Sequence, residues 1–314
     1  MKFFSASDVD SALDFPSLVE TLAGAFLGGL TAPTRHHHAL PRADEGDATH
    51  LLMPAWTREG ADAFLGVKIV NVFPGNGARG LPAVRGTYVL QSGVTGETIA
   101  VLDGTRLTQW RTAAASALAA RYLARADSRK LLIVGAGALA PFLVRAHASQ
   151  RPIDSVEIWN HRPEGARKLA DSLAAQGFDA RAVESLREAV PRADIVSAAT
   201  LSEVPLIAGA WLRPGQHVDL VGAFNLRMRE ADDLALRRSR VFIDTPAALS
   251  EGGDVAAAIA SGALARSDVV ADLAALVRGA PGRGGDDEIT LFKSVGASIE
   301  DLAAAILVWR TSGG

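Results

Sequence analysis

The 314-residue chain contains no cysteine. That absence excludes disulfides, thiolate metal sites and cysteine nucleophiles together. It also lacks an excess of one charge: 32 Lys and Arg stand against 35 Asp and Glu, a net −3, with no long run of either sign. A nucleic-acid surface, which ordinarily presents a basic face, is therefore not expected. The start, MKFFSASDVD, turns polar before an apolar run of signal-peptide length can form, so no signal peptide is read. No apolar stretch reaches the ~20 residues of a membrane helix, so no membrane partner is expected and the expected location is the cytoplasm. Apolar side chain, by contrast, makes up 48% of the chain, enough for one large domain or two moderate ones.

The texture changes along the chain. Residues 8–30 show helical spacing, with Leu18, Leu22, Ala25 and Phe26 on one side. From 36 to 102, short apolar runs such as FLGVKIVNVF are cut by Gly, Pro and Asn, which predicts a mostly antiparallel sheet. GVTGET at 93–98 reads as a hairpin turn, with Gly93 and Gly96 supplying unusual backbone angles. The alanine-rich stretch 106–126 predicts a strong helix. After it, RKLLIVGAG, SVEIWN, ADIVSAAT, HVDLVGA and SRVFIDT follow as short apolar runs, the first of them separated by helical texture. That βαβ rhythm implies an α/β fold with a mainly parallel sheet. A Gly-rich loop and a final helix end the chain.

LLIVGAGALA matches G-x-G-x-x-A at Gly135, Gly137 and Ala140, between a predicted strand and a predicted helix. In the Rossmann pattern the first glycine permits the tight turn, the second lets backbone approach a pyrophosphate, and the alanine lets helix and strand pack closely. The open N–H groups at the helix start, around Ala138 and Leu139, would meet the anion. The next strand ends at Asn160, His161 and Arg162, where an NAD-specific site usually carries an acid for the ribose hydroxyls. Asparagine does not repel a 2′-phosphate, and Arg162 has the planar fork to pair with one. NADP (as NADPH) is thus expected over NAD, with NAD as the alternative. Ala199 and Thr200, at a later strand end, are expected on the nicotinamide side.

In order along the chain stand LLMPAW, GVKIVNVFPGN, GLPAVRGTYVL, LTQWRTAAASALAARYLA, VGAGALA and ITLFKSVGASIEDLAAA. On these motifs the sequence resembles the ornithine cyclodeaminase/μ-crystallin family over almost its whole length. The resemblance implies a Rossmann dinucleotide-binding domain, 116–287, and an α/β substrate-binding and dimerisation domain, 1–115 with 288–314. It places the active site in the cleft between them and implies a homodimer. It further implies that Arg35, Lys68 and Arg111 hold a substrate carboxylate, that Thr112 helps bind the pyrophosphate, and that Lys293 reaches the cofactor. Convergence of such cations, with burial, would lower the pKa of Lys68, so Lys68 is also a candidate acid toward an imine nitrogen.

The family's activities include ornithine cyclodeamination, alanine dehydrogenation, ketimine reduction and opine-type dehydrogenation. Cyclodeaminases carry an aspartate in a pattern like G-G-D-x-P-G-K-T-E. Here VGAFNLRMRE aligns Gly222 and Glu230 but puts Phe224 in the acid's place, and phenylalanine accepts no proton. The first expectation is therefore NAD(P)H-dependent reduction of a cyclic ketimine carboxylate, Δ1-pyrroline-2-carboxylate to L-proline, with Δ1-piperideine-2-carboxylate to L-pipecolate beside it. The alternatives are alanine or N-alkyl amino acid dehydrogenation, then cyclodeamination, then a non-catalytic NADPH-binding protein like the crystallin branch.

RHHHALP, residues 35–41, remains. The histidines lie inside the chain and run to only three, so a tag is a poor explanation. They lack recognisable metal-ligand spacing, so no metal is expected. If the segment is a strand, His36 and His38 share one face and His37 the other, with Arg35. His37 is then a candidate proton relay or ring contact, the alternative being histidines that only hydrogen-bond within a sheet.

Overall fold

The computed structural model describes residues 1–42, 46–58, 60 and 62–313. The chain divides into two compact units, Met1–Thr112 with Ala297–Gly314, and Ala113–Gly296. The sequence reading sets the joints at 115/116 and 287/288, and the second of these differs most. Residues 290–293 form a strand in the middle of the parallel sheet, so 288–296 go with the second unit rather than the first.

The first unit contains β1 (Lys2–Phe4), α1 (Ala6–Ala12), α2 (Phe15–Leu27), β2 (Leu30–Thr31), β3 (His36–Leu40), β4 (Ala48–Thr57), β5 (Phe64–Val72), β6 (Val84–Ser92) and β7 (Thr98–Asp103). The single helix expected over 8–30 is two helices. Asp14 caps the second by accepting the Ser17 N–H, and Pro16 in its first turn cannot donate a bond to a preceding helix. The sheet runs β1-β7-β6-β5-β4-β2, with β3 on β4, and is antiparallel except for the β1–β7 pair. At the 93–98 turn only Gly96 needs the left-handed region (φ 76°). Gly93 is required for a different reason: a Cβ there would lie 2.7 Å from the Ala63 carbonyl carbon.

Helix α3 (Gly104–Leu123) leads into the second unit, made of β8 (Lys130–Val134), α4 (Ala140–Gln150), β9 (Ser155–Trp159), α5 (Pro163–Ala174), β10 (Ala180–Ala182), α6 (Leu186–Ala189), β11 (Ile195–Ala198), β12 (His217–Leu220), α7 (Asp233–Arg237), β13 (Arg240–Ile243), α8 (Gly253–Ala260), β14 (Val269–Asp272), α9 (Leu273–Val277) and β15 (Thr290–Lys293). All eight strands are parallel, in the order β10-β9-β8-β11-β12-β15-β13-β14. The four residues of β11 and of β12 are wholly buried, as befits strands covered on both faces. The order reverses direction at β8, between β9 and β11, which is the switch point where open α/β sheets bind ligands. The last helix, α10 (Ser298–Thr311), returns to the first unit and packs on β4, β5, β6 and α2. No helix among the described residues is long and apolar enough to cross a membrane.

Candidate active site

In the first unit, strand alternation puts Phe64, Gly66 and Lys68 of β5 on the face that α10 covers, and all three are buried. Lys68 lies opposite Met53 and Tyr88 in register and is 1% exposed. A buried ammonium requires partners. Its Nζ donates to Asp301 Oδ1 at 2.8 Å, and Asp301 Oδ2 lies at the same distance. Arg111, near the middle of α3, donates from Nε to Asp301 Oδ1 at 2.9 Å and from Nη1 to Glu300 Oε2 at 2.7 Å. Two cations and two carboxylates thus form a charge-balanced buried tetrad. Both acids stand in the first turn of α10, where the helix dipole favours negative charge. Gly66 is dictated by the same packing, because a Cβ there would come within 2.4 Å of the Tyr88 hydroxyl.

The electrostatics follow. Burial first, and the Arg111 guanidinium second, push the Lys68 ammonium down to about 8, against the raising effects of Asp301 and Glu300. Burial alone would lower Arg111, but the two acids outweigh it and raise the guanidinium further. Burial, then the Asp301 charge, raises the Tyr88 phenol well above its ordinary value. Arg111 spends two of its five N–H donors on these acids, so a planar carboxylate can still be met by the rest.

The histidine segment is an edge strand, and its register assigns faces. His37 pairs with Leu51, two residues from Met53, which pairs with Lys68; His37 therefore shares the Lys68 face of the sheet. His36 and His38 take the other face, with ring centroids 6.4 Å apart, and His38 lies 6.3 Å from His50. His50 is itself held by Asn71 at 2.7 Å. Arg35 is half-buried at the residue before β3. Among the described residues no group of three or more side chains is placed to hold a metal ion.

The second unit presents a different site. Gly135 turns the chain out of β8 with φ 105°, and a Cβ there would lie 2.8 Å from the Ala199 carbonyl oxygen. A Cβ on Gly137 would meet nothing within 4 Å, which leaves open space beside the turn. Leu139 precedes α4 and no side chain caps the start of that helix, while Gly137 and Ala138 are exposed. The Ala140 and Phe142 N–H groups bond to the Gly137 and Leu139 carbonyls and Pro141 has none, so it is the exposed Gly137–Ala138 backbone before the helix that fits the pyrophosphate of a dinucleotide. Ala199 and Thr200 follow β11, at the adjacent strand end and half-exposed. Thr112 belongs to the first unit and is buried on α3.

Two expected cofactor residues have other duties. Asn160 is an internal brace: its Oδ1 accepts the Ala136 N–H at 3.2 Å and its Nδ2 donates to the Arg162 carbonyl at 2.9 Å. His161 and Arg162 beyond it are exposed. Lys293, expected at the cofactor, is instead fully buried on β15. Its ammonium lies 3.2 Å from Asp254 Oδ2 and donates to the Leu220 carbonyl, so its charge serves the interior of the unit. Asp301 and Glu300 were not singled out from the sequence. The available signal was the pair of adjacent acids opening the otherwise apolar SIEDLAAAILV.

A sequence model described as the Ornithine cyclodeaminase/mu-crystallin family matches residues 5–312. The Δ1-pyrroline-2-carboxylate reductase of Paracoccus denitrificans is 41% identical, covering 100% of this chain and 98% of its own. The structure of the Thermococcus litoralis Δ1-pyrroline-2-carboxylate reductase, in complex with NADH and L-proline, superposes with a TM-score of 0.93 at 33% identity, over 99% of this chain and 97% of that one. An archaeal alanine dehydrogenase dimer with bound NAD superposes at 0.90 with 29% identity, over 99% and 95%.

Proposed function

This chain belongs to the ornithine cyclodeaminase/mu-crystallin family, and we propose that within it the protein is an NAD(P)H-dependent reductase of small cyclic ketimine carboxylates, foremost Δ1-pyrroline-2-carboxylate, giving L-proline. The observation that carries this reading is the buried Lys68, held beside Arg111 on one carboxylate and pushed down to about 8. Such an ammonium is protonated near neutral pH yet poised to part with its proton, as a general acid requires. The relatives bearing that activity over the full length support the same choice.

In this reading Arg111, with Lys68 and Arg35, binds the substrate carboxylate and so fixes the C=N carbon. Lys68 delivers a proton to the imine nitrogen, directly or through water, and keeps that carbon electrophilic. His37, on the Lys68 face, contacts the ring or relays the proton. Asp301 and Glu300 position the two cations and hold their charge inside the fold. The nicotinamide cofactor, when bound, supplies the hydride. The Gly135–Leu139 turn would take its pyrophosphate, and Ala199 and Thr200 its nicotinamide end. The exposed Arg162 favours NADPH over NADH, because its fork suits a 2′-phosphate. Phe224, in the loop beyond β12, leaves cyclodeamination without its acid.

A homodimer belongs to the same proposal. The sheet face opposite Lys68 carries Leu52, Leu65, Val67, Ile69, Val89 and Val101, all only half-buried. A contiguous apolar face of that kind is characteristic of an association surface. The activity is tested by following reduced-nucleotide oxidation with Δ1-pyrroline-2-carboxylate, then with pyruvate plus ammonia, and by looking for proline from ornithine. Turnover of the first far above the others is expected. Turnover of pyruvate and ammonia alone would move the assignment to alanine dehydrogenation.

A further inference from the structure

The carboxylate of Glu230 ties together two strand ends. Its Oε1 accepts the Thr200 N–H at 2.6 Å and the Thr200 hydroxyl at 2.9 Å, beyond β11. Its Oε2 accepts the Gly222 N–H at 2.7 Å and the Ala223 N–H at 3.4 Å, beyond β12. Four donors from two loops therefore converge on one fully buried side chain. The fit permits no side chain at Gly222, where a Cβ would lie 2.1 Å from the Thr200 carbonyl oxygen and 2.5 Å from Glu230 Oε1. Glu230 is in turn fixed through its backbone. Asp254 Oδ1 accepts the N–H groups of Glu230 and Ala231 at 2.7 and 3.0 Å, and Asp254 Oδ2 lies 3.2 Å from the Lys293 ammonium.

The clamped loops adjoin the glycine turn, since a Cβ on Gly135 would meet the Ala199 oxygen at 2.8 Å and Thr200 Cγ2 at 3.0 Å. In a Rossmann sheet whose first turn holds the pyrophosphate, the nicotinamide half extends over the ends of the strands on the far side of the switch point, here β11 and β12. We propose that Glu230 is a positioning residue for the nicotinamide half of the dinucleotide: it holds the Thr200 and Gly222 turns at one spacing, and the Asp254–Lys293 pair holds Glu230. This rests on the cofactor reading above. An ionised carboxylate is what the four donors require. Burial pushes Glu230 up to about 7, Lys293 opposes that and Asp254 adds to it, so the clamp weakens as pH falls through neutrality.

The test compares two ligands on one protein: the whole reduced dinucleotide, and ADP-ribose, which lacks the nicotinamide. Glu230→Gln keeps the side-chain volume but sets an NH2 against donor N–H groups. Bonds to a charged acceptor are strong enough that its Kd for the whole dinucleotide should rise about tenfold, while that for ADP-ribose moves less than about twofold. Thr200→Val, which removes the hydroxyl's bond to Glu230 and its longer bond from the Ser202 N–H at near-constant volume, should do the same on a smaller scale, about threefold. It serves if the first variant does not fold. Equal losses for both ligands would mean that Glu230 merely supports the fold, and no loss for either would also overturn the proposal. If the unaltered protein bound neither ligand, the cofactor reading itself would fall, and this proposal with it.

Discussion

Asp301 accepts from the Lys68 ammonium at 2.8 Å and from Arg111 Nε at 2.9 Å, so one carboxylate oxygen joins two cations that lie 43 residues apart. The Asp301 charge is one of the effects that raise Lys68 against its burial. Asp301→Asn should therefore lower the Lys68 pKa further. If Lys68 is the acid, kcat/KM falls as pH rises through about 8 in the native protein, and that limb moves to lower pH in the variant. The variant also leaves buried cations under-compensated, a stability loss of about 3–5 kcal/mol. A pH–rate profile with an unmoved or rising limb would deny Lys68 the acid role.

The proposed preference for NADPH rests on Arg162. Arg162→Ala should raise the KM for NADPH about tenfold, the worth of a charge-assisted bond, and leave that for NADH nearly unchanged. Steady-state kinetics with both nucleotides checks this. A preference for NADH already present in the native protein and surviving the substitution would refute it.

The apolar sheet face should be covered by a second copy. Val67 stands at its centre, on the opposite face from Lys68 and opposite Pro54 and Val89 in register. Val67→Asp puts a charge where a dimer would bury it, so sedimentation should show a monomer with unchanged circular dichroism. An unchanged mass would place the contact elsewhere or remove it.

His217 sets a stability limit in acid. It is fully buried, its Nδ1 lies 3.0 Å from the Thr290 hydroxyl, and burial pushes its pKa down to about 3. The unfolded chain takes up the proton near pH 6.5, so the folded state is fully favoured above that value and loses stability as pH falls toward 3. The slope for one proton is about 1.4 kcal/mol per pH unit. The melting temperature should drop from pH 7 to pH 5, and less steeply in His217→Asn. Parallel curves for both proteins would contradict this.

How much of this was legible depended on how local the cause is. The glycine turn could be read because its strand, glycines and helix follow one another, and the face of His37 because strand alternation is local. The break between α1 and α2 was equally available in Asp14 and Pro16. Lys68 and Arg111 stood out by their motifs, but their partners did not: Asp301 lies 233 residues beyond Lys68, and two acids opening a helix resemble ordinary dipole complements. Lys293 shows the converse. Its motif suggests a ligand, whereas the burial that commits it to Asp254 arises only because β15 enters between β12 and β13, a strand order no local pattern encodes.

The central claim is hydride delivery to the C=N carbon of a cyclic imino acid. The most direct measurement supplies Δ1-pyrroline-2-carboxylate with nicotinamide nucleotide deuterated at the transferable position and examines the product by mass spectrometry. The account predicts L-proline carrying a single deuterium at its α carbon, formed by the native protein and slowed about a hundredfold or more in Lys68→Met, the usual cost of losing a general acid. Unlabelled product, no nucleotide oxidation, or a Lys68→Met variant with native kcat would contradict it.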